Sequence, residues 1–268
     1  MKVGVMGCGV VGGTVAKWLE RQKHSVARYD PPLGHEDDSV LDDCETVFIS
    51  VPTPFDGKQC DVTLVVRSVM LLRGHKTVII KSTVTPGTTA HLQGENMQHL
   101  FFFVPEFLSE DSADDDYENP LVSMIGVPRW EKTTVFDKAR INVRRLWEDK
   151  LIPVGGEPVV TSAKVAETYK LMRNAYLATK VVFFNEVYDL CQKSGIDYDK
   201  IRLLAEGDPW IRGHHTDVMH KGYRGYGGKC FPKDVNALIA YADESSVDLA
   251  TLRMARAVNE MLKEKKCE

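Results

Sequence analysis

The chain has 268 residues, of which 43% are apolar and 27% charged, and its formal net charge is −4. This composition is ordinary for a folded globular protein and excludes a disordered tail, a collagen and a small disulfide-rich scaffold. The charge balance gives no sign of a nucleic-acid partner. No stretch of the sequence approaches the roughly 18 apolar residues that a membrane span needs. Six cysteines without metal-ligand spacing or a signal peptide predict no metal site and favour reduced thiols in the cytoplasm.

The predicted elements alternate between strands and helices over the first half of the chain. Apolar strands are predicted at residues 2–6, 25–29, 46–51, 77–83 and 100–104, with helices over 10–23 and 61–73. Residues 121–127 and 151–154 are candidates for further strands, and a helix is predicted near 130–148. This alternation is typical of an α/β fold with a doubly wound, Rossmann-type parallel sheet.

The second half of the chain is predicted to be helical. One helical pattern without Gly or Pro runs over 162–193, another lies near 198–206, and a third region extends from about residue 232 to 266. We therefore predict a Rossmann-type domain over residues 1–155 and an all-helical domain over 156–268. The helix over 162–193 carries Val, Phe, Tyr and Leu on all sides, which favours its burial in a homodimer.

A glycine-rich turn follows the first predicted strand and opens the first helix. Its pattern Gly-x-Gly-x-x-Gly permits a tight turn and a close approach of the backbone to a pyrophosphate. Asp30 ends the next strand, where a carboxylate accepts hydrogen bonds from ribose hydroxyls and repels a 2′-phosphate. We therefore predict NAD as the cofactor, with a purely structural turn as the alternative. The predicted cofactor contacts of the turn are Gly7, Cys8, Gly9, Val10, Val11 and Gly12.

Polar segments follow three further predicted strands at residues 51–54, 81–87 and 105–110. Ligands bind at the carboxyl ends of parallel strands in open α/β sheets, so these segments are candidate site segments. Glu106 and Glu110 are four residues apart, and a helical turn would place both carboxylates on one side. Exposed loop acids are the alternative interpretation.

The helical half carries two further candidate groups. Lys170 and Asn174 are four residues apart and share one face of the long predicted helix, although such a pair usually faces solvent. Cys230 follows a glycine-rich loop at a predicted helix start, between Lys229 and Lys233. A helix N-terminus and nearby cations lower the pKa of a thiol, so this pattern favours a nucleophile over a structural cysteine.

Together these segments resemble the nucleotide-sugar 6-dehydrogenase family. The matching stretches are residues 7–12, 51–54, 81–84, 105–110, 166–174, 185–186 and 227–234, and they occur in the family's order. The resemblance implies that NAD oxidises the C6 alcohol of a nucleotide sugar twice, through a thiohemiacetal and a thioester on Cys230. UDP-glucose is the first substrate that it implies. GDP-mannose, a UDP-N-acetylhexosamine and a non-catalytic NAD-binding module are the alternatives.

The resemblance also implies individual roles. Lys170 and Asn174 would stabilise the charge on the C6 oxygen. Asp234, with an ordered water, would act as acid and base, and Thr83 would help to place that water. Glu106 would be the base for thioester hydrolysis. Further cofactor contacts would be Val51, Pro52, Thr53, Pro54, Ser82, Thr83, Glu110 and Lys233. Substrate contacts would be Glu106, Phe107, Leu108, Lys170, Asn174, Lys221, Gly225, Tyr226, Gly227 and Cys230.

Two departures from the family pattern stand out. Members usually continue into a second Rossmann-like domain that binds the nucleotide base, and we expect this sequence to lack it. The connection between Asp30 and Phe48 is seventeen residues long, where the family has a longer excursion with an extra helix.

Overall fold

The computed structural model describes residues 1–128, 142–219 and 222–264. The chain divides into two compact units. The first unit comprises Met1–Asp56 and Cys60–Lys170, and the second comprises Gly57–Gln59 and Leu171–Glu268.

A seven-stranded sheet forms the first unit. Its strands are β1 (Lys2–Met6), β2 (Ser25–Tyr29), β3 (Thr46–Ile49), β4 (Thr77–Ile80), β5 (Leu100–Phe103), β6 (Met124–Val127) and β7 (Val159–Ser162). They lie in the order β2-β1-β3-β4-β5-β6-β7. All neighbouring pairs are parallel except β5 and β6, which pair antiparallel. The predicted Rossmann-type sheet is therefore confirmed.

Helices and short turns connect the strands. The helices are α1 (Val10–Arg21), α2 (Thr63–Met70), α3 (Thr88–Glu95) and α4 (Ala113–Glu118), and residues 142–148 are also helical. The rest of the helix predicted near 130–148 lies outside the described residues. The short β2–β3 connection contains two single-turn 3₁₀ helices, Pro31–Leu33 and Asp38–Leu41.

Both faces of the sheet are buried. Phe48, Ile79 and Phe102 lie in a hydrophobic cluster on one face. Their neighbours along the same strands, including Val47 and Val78, lie in a second cluster on the other face. Alternate residues of a strand point to opposite faces, so continuous apolar strands are what a sheet covered on both sides requires.

The sheet differs from the sequence prediction at its far edge. Residues 151–154 are not a strand, because the N–H groups of Leu151 and Ile152 donate to the carbonyl of Leu146 at a helix end. Both side chains are buried, which explains the apolar pattern without a strand. The last strand is β7 instead, so the sheet extends past the predicted domain boundary at residue 155 into the region predicted to be all helical.

Four helices occur in the described residues after β7: α5 (Ala163–Ser194), α6 (Tyr198–Gly207), α7 (Phe231–Glu244) and α8 (Ala250–Glu264). The first residues of α5 belong to the first unit, and the rest of α5 belongs to the second. Gly195 follows α5 with φ of +67°, the left-handed conformation that ends many helices. In the described part of the chain, no helix has the length and apolar character to cross a membrane.

Candidate active site

The glycine-rich turn lies where β1 runs into α1. A Cβ atom on Gly12 would lie 1.8 Å from the carbonyl oxygen of Gly7, so this position accepts no side chain. A Cβ atom on Gly9 would meet nothing within 4 Å, so the backbone there is open to a ligand. Gly9 is the N-cap of α1, and no side chain caps it. A close helix–strand contact and an uncapped helix start are the features that a bound pyrophosphate requires.

Asp30 lies beside this turn. Its carboxylate accepts a hydrogen bond of 2.5 Å from the backbone N–H of Cys8. Its backbone pairs with that of His35 through two hydrogen bonds, which fix the end of β2. The carboxylate and the turn are therefore adjacent, as recognition of an adenosine ribose and its pyrophosphate requires, and the residues fit NAD.

The ends of β3 and β4 are joined by side-chain hydrogen bonds. The Thr53 hydroxyl donates to the Thr83 carbonyl at 2.6 Å, and the Ser82 hydroxyl donates to the Val51 carbonyl at 2.7 Å. The sheet order reverses between β1 and β3, and ligands of doubly wound sheets bind at such a switch point. Four predicted contact residues therefore lie at the expected edge of the sheet.

A buried ion pair connects the segment after β5 to α5. The Lys170 ammonium lies 2.8 Å from the Glu106 carboxylate and donates to the Glu106 carbonyl at 2.6 Å. The two side chains are 4% and 11% exposed. The same ammonium lies 5.5 Å from the ring centre of Phe107, a cation–π contact. The structure thus brings together two of the predicted catalytic residues, and Lys170 does not face solvent.

Glu106 and Glu110 do not share a helical turn. Residues 105–109 are not helical, and Glu110 begins a 3₁₀ helix, Glu110–Ser112, in which it is exposed. The backbone N–H of Leu108 donates to the Glu106 carboxylate at 3.2 Å, which holds the carboxylate over an irregular turn. Because this local bond competes with helix formation, the two carboxylates lie in different environments.

Lys81 is a buried residue of this region to which the sequence analysis gave no role. Its ammonium donates to the Pro105 carbonyl at 3.2 Å and lies 5.1 Å from the ring centre of Tyr117. Burial lowers the pKa of Lys81 to about 7, although the nearby Glu106 carboxylate opposes this effect and Lys170 adds to it. A strand followed by a lysine gives no signal of such burial, so sequence reasoning could not have found it.

Glu167 is a second residue with a role that only the structure reveals. It is fully buried, and its carboxylate accepts hydrogen bonds from the N–H groups of Gly87 and Thr89 and from the Thr89 hydroxyl. These donors lie at the start of α3, whose N-cap residue has no capping side chain of its own. Glu167 therefore caps α3 from α5, an interaction between segments distant in sequence.

The second unit contains the predicted nucleophile. Cys230 is exposed and is the N-cap of α7, with Pro232 in the first turn. Asp234 follows one turn later and is 1% exposed. Its carboxylate accepts hydrogen bonds of 2.6 Å from both the Asn174 amide and the Lys233 ammonium. The structure thus brings together three predicted site residues: Lys233 and Asp234 lie in the first turn of α7, and Asn174 lies on α5.

Buried polar groups hold the glycine-rich loop before Cys230. The Asn259 amide accepts a hydrogen bond from the Tyr226 N–H at 2.6 Å and donates to the Tyr226 carbonyl at 3.0 Å. A Cβ atom on Gly225 would lie 2.4 Å from the Asn259 oxygen. The Tyr226 side chain lies in the hydrophobic core of this unit, where burial raises its pKa to about 12. Tyr226 therefore has a structural role, and its predicted contact with substrate stays a prediction.

Lys221, a predicted substrate contact, lies outside the described residues. Among the residues that the structure describes, no group of three or more His, Cys, Asp or Glu side chains could hold a metal ion.

Comparisons with known proteins identify the family. Residues 34–141 match the NAD-binding domain of the UDP-glucose/GDP-mannose dehydrogenase family, and residues 164–261 match the central domain of the same family. A putative UDP-glucose 6-dehydrogenase of Bacillus subtilis is 30% identical to this chain, and the match covers 97% of this chain. The chain belongs to the UDP-glucose/GDP-mannose dehydrogenase family. Its first unit accordingly contains the family's NAD-binding domain.

The chain spans only part of its relatives. It covers 68% of the Bacillus subtilis protein and from 47% to 66% of seven other curated UDP-glucose 6-dehydrogenases. Among solved structures, a UDP-glucose dehydrogenase of Pyrobaculum islandicum matches 97% of this chain and 68% of its own, with a TM-score of 0.79 and 24% identity. A UDP-D-ManNAc dehydrogenase of Pyrococcus horikoshii matches 98% of this chain and 69% of its own, with the same TM-score and 22% identity. These two structures establish the fold.

Proposed function

We propose that this chain oxidises the C6 alcohol of a nucleotide sugar to a carboxylate with two molecules of NAD. The observation that carries the proposal is the placement of Cys230 at the start of α7, one turn before an Asp234 that is bonded to Asn174 and Lys233. A cysteine at a helix start is a suitable nucleophile, and a buried carboxylate beside it suits proton transfer. Family membership adds the NAD-binding domain that the reaction needs.

In the proposed reaction, each of the two NAD molecules would accept one hydride when bound. The chain's own residues bind the sugar and transfer its protons. The C6 hydroxyl loses its proton to the Asp234–water pair as the alcohol becomes an aldehyde. The Cys230 thiolate then adds to the aldehyde carbon, and the resulting thiohemiacetal is oxidised to a thioester. Water, deprotonated by Glu106, attacks the thioester carbon and releases the carboxylate and the thiolate. Lys170 and Asn174 donate to the C6 oxygen as its charge develops.

UDP-glucose is the substrate that we propose first, because the curated relatives are named UDP-glucose 6-dehydrogenases. GDP-mannose and a UDP-N-acetylhexosamine are the alternatives, since the solved structures that share this fold include a UDP-D-ManNAc dehydrogenase and a GDP-mannose dehydrogenase. A non-catalytic NAD-binding module is the alternative from another class. The buried Lys170–Glu106 pair disfavours it, because burying two charges is costly and contributes little to stability.

The test begins with NADH absorbance after mixing the protein with NAD and each of these nucleotide sugars. We expect Cys230→Ser to lose nearly all overall turnover. We expect Glu106→Gln to release about two NADH per active site and then stop, with the sugar nucleotide attached to Cys230 in the intact mass. Normal turnover by Cys230→Ser would refute the covalent mechanism. Normal turnover by Glu106→Gln would assign the base elsewhere, with Glu110 as the next candidate.

We also propose that the chain forms a homodimer through α5. Four large apolar side chains of the second unit are 45% to 61% exposed on this helix: Met172, Tyr176, Phe183 and Leu190. Their spacings of four, seven and seven residues place them on one stripe of the helix. Such a contiguous apolar stripe favours a protein partner, and a second copy presents the same stripe in a twofold interface.

A reducing compartment suits this function, since a nucleophilic cysteine must stay a free thiol. We therefore propose the cytoplasm as the location, with no nucleic-acid or membrane partner.

A further inference from the structure

Two buried lysines bind consecutive carbonyl groups after β5. Lys81, which directly follows β4, donates to the Pro105 carbonyl at 3.2 Å, and Lys170 donates to the Glu106 carbonyl at 2.6 Å. Lys81 is 3% exposed, and the Tyr117 ring lies on its ammonium. The short segment that carries Glu106 is therefore held by two cations from different elements of the first unit.

Lys81 and Lys170 together face one carboxylate, that of Glu106, so the charges in this group do not cancel. The ionisable groups that face it are the Glu106 carboxylate, the Lys170 ammonium and the Tyr117 phenol. Burial lowers the pKa of Lys81 to about 7, so its ammonium loses its proton near neutral pH. Among the described residues, the Glu106 carboxylate is thus the one negative charge beside two lysines, and its direct ion pair is with Lys170.

We propose that Lys81 is a positioning residue for Glu106. Lys81 stays beside the Glu106 carboxylate when Lys170 turns toward the sugar oxygen. The inference rests on the proposed function, in which Lys170 binds the C6 oxygen. Lys170 must then give up or share its bond to Glu106, and a buried carboxylate without a cation is strongly destabilised. Lys81 compensates that charge and keeps the Pro105 carbonyl, and with it the Glu106 backbone, in place.

The chain offers a matched control for the test. Lys76 lies at the opposite end of β4, is also buried, and donates to the carbonyls of Leu41 and Asp42 at 3.2 and 2.5 Å. Lys81→Met and Lys76→Met therefore remove the same kind of group, each with carbonyl contacts in the first unit. Only Lys81 lies beside Glu106 and Lys170.

We expect Lys81→Met to lower turnover at least about tenfold, because small displacements of a positioned group cost up to about a hundredfold. We expect Lys76→Met to change turnover less than about twofold, with KM for NAD unchanged in both variants. Because Glu106 would be displaced, Lys81→Met should accumulate the sugar nucleotide on Cys230 in the intact mass. Lys81→Arg, which retains a cation, should restore part of the turnover. Equal turnover of the two methionine variants, or loss of turnover without the adduct, would overturn the inference.

A measurement without substrate separates this inference from the proposed function. Because Lys81 has a lowered pKa in the folded state, the unfolded state binds more protons between about pH 7 and its ordinary value of 10.5. The wild-type protein should therefore gain stability relative to Lys81→Met as the pH rises through this window. That gain without any NADH formation would reject the proposed function while retaining the burial of Lys81. NADH formation without the gain would reject the role of Lys81 alone.

Discussion

Glu167 offers a direct test of how α5 is anchored to the sheet. Its carboxylate accepts hydrogen bonds of 2.5 and 2.9 Å from the N–H groups of Gly87 and Thr89, and of 2.6 Å from the Thr89 hydroxyl. Lys170 follows three residues later on the same helix, so this anchor also fixes the helix turn that carries Lys170. Removing it should affect both stability and turnover.

The size of the stability loss follows from the number of donors left without an acceptor. Each buried donor that loses its acceptor costs about 1–3 kcal/mol. Glu167→Ala leaves three of them and should lower the free energy of unfolding by about 4 kcal/mol. Glu167→Gln keeps the shape and one oxygen acceptor, so we expect a loss of about 2 kcal/mol. Glu157→Ala, at an exposed glutamate of the same unit, should stay within about 0.5 kcal/mol.

The pH dependence provides a second observable. Burial raises the pKa of Glu167 above its ordinary value of 4.5, which outweighs the opposing effect of its hydrogen bonds. The folded state therefore holds this proton more tightly than the unfolded state does. The stability of the wild-type protein relative to Glu167→Gln should then fall as the pH rises from about 4.5 through the raised pKa.

Urea unfolding followed by circular dichroism, at several pH values, measures both quantities. A loss below about 1 kcal/mol for Glu167→Ala would refute the capping role, since that is less than the cost of a single unsatisfied donor. A stability difference between wild type and Glu167→Gln that rises with pH would refute the sign of the pKa shift.

Three further predictions follow from single positions. Asp30→Ala should reduce the preference for NAD over NADP in kcat/KM at least about tenfold, because about 1.4 kcal/mol of repulsion toward a 2′-phosphate is lost; equal use of both cofactors by the wild type would contradict it. His99 is buried, its ring nitrogens have no hydrogen-bond partner among the described residues, and burial lowers its pKa below 6.5. The stability of the wild-type protein relative to His99→Phe should therefore fall as the pH drops below 6.5, as thermal unfolding of both proteins at several pH values measures. Phe183→Glu should shift the protein to a monomer in analytical ultracentrifugation, whereas Met70→Glu, at a 77% exposed position of the first unit, should not.

The sequence predicted best those features that depend on neighbouring residues. The glycine turn after β1 and the start of α7 at Cys230 follow from local glycine, proline and apolar patterns. Local patterns failed where tertiary packing decides. Leu151 and Ile152 are buried without belonging to a strand. The Glu106 carboxylate accepts a hydrogen bond from the backbone N–H of Leu108, and the segment is not helical.

The sequence predicted which residues belong to the candidate site. It did not predict which of their side chains bond to each other. Glu106, Lys170, Asn174 and Asp234 were each expected from their motifs. That Lys170 is bonded to Glu106 and Asn174 to Asp234 depends on which turn of α5 faces which segment. Lys81 was missed because nothing in its neighbourhood in the sequence indicates that Pro105 and Tyr117 surround it.

The net charge of the buried group of Lys81, Glu106 and Lys170 argues for a function rather than for stability. With both lysines protonated the group carries one net positive charge, and a buried uncompensated charge destabilises the folded state. Burial lowers the pKa of Lys81 to about 7, which shows that the fold disfavours this charge. An anion that forms next to Lys170 would remove the imbalance. In the proposed reaction the C6 oxygen develops a negative charge in the transition state, so this arrangement would stabilise the transition state more than the free protein, as catalysis requires.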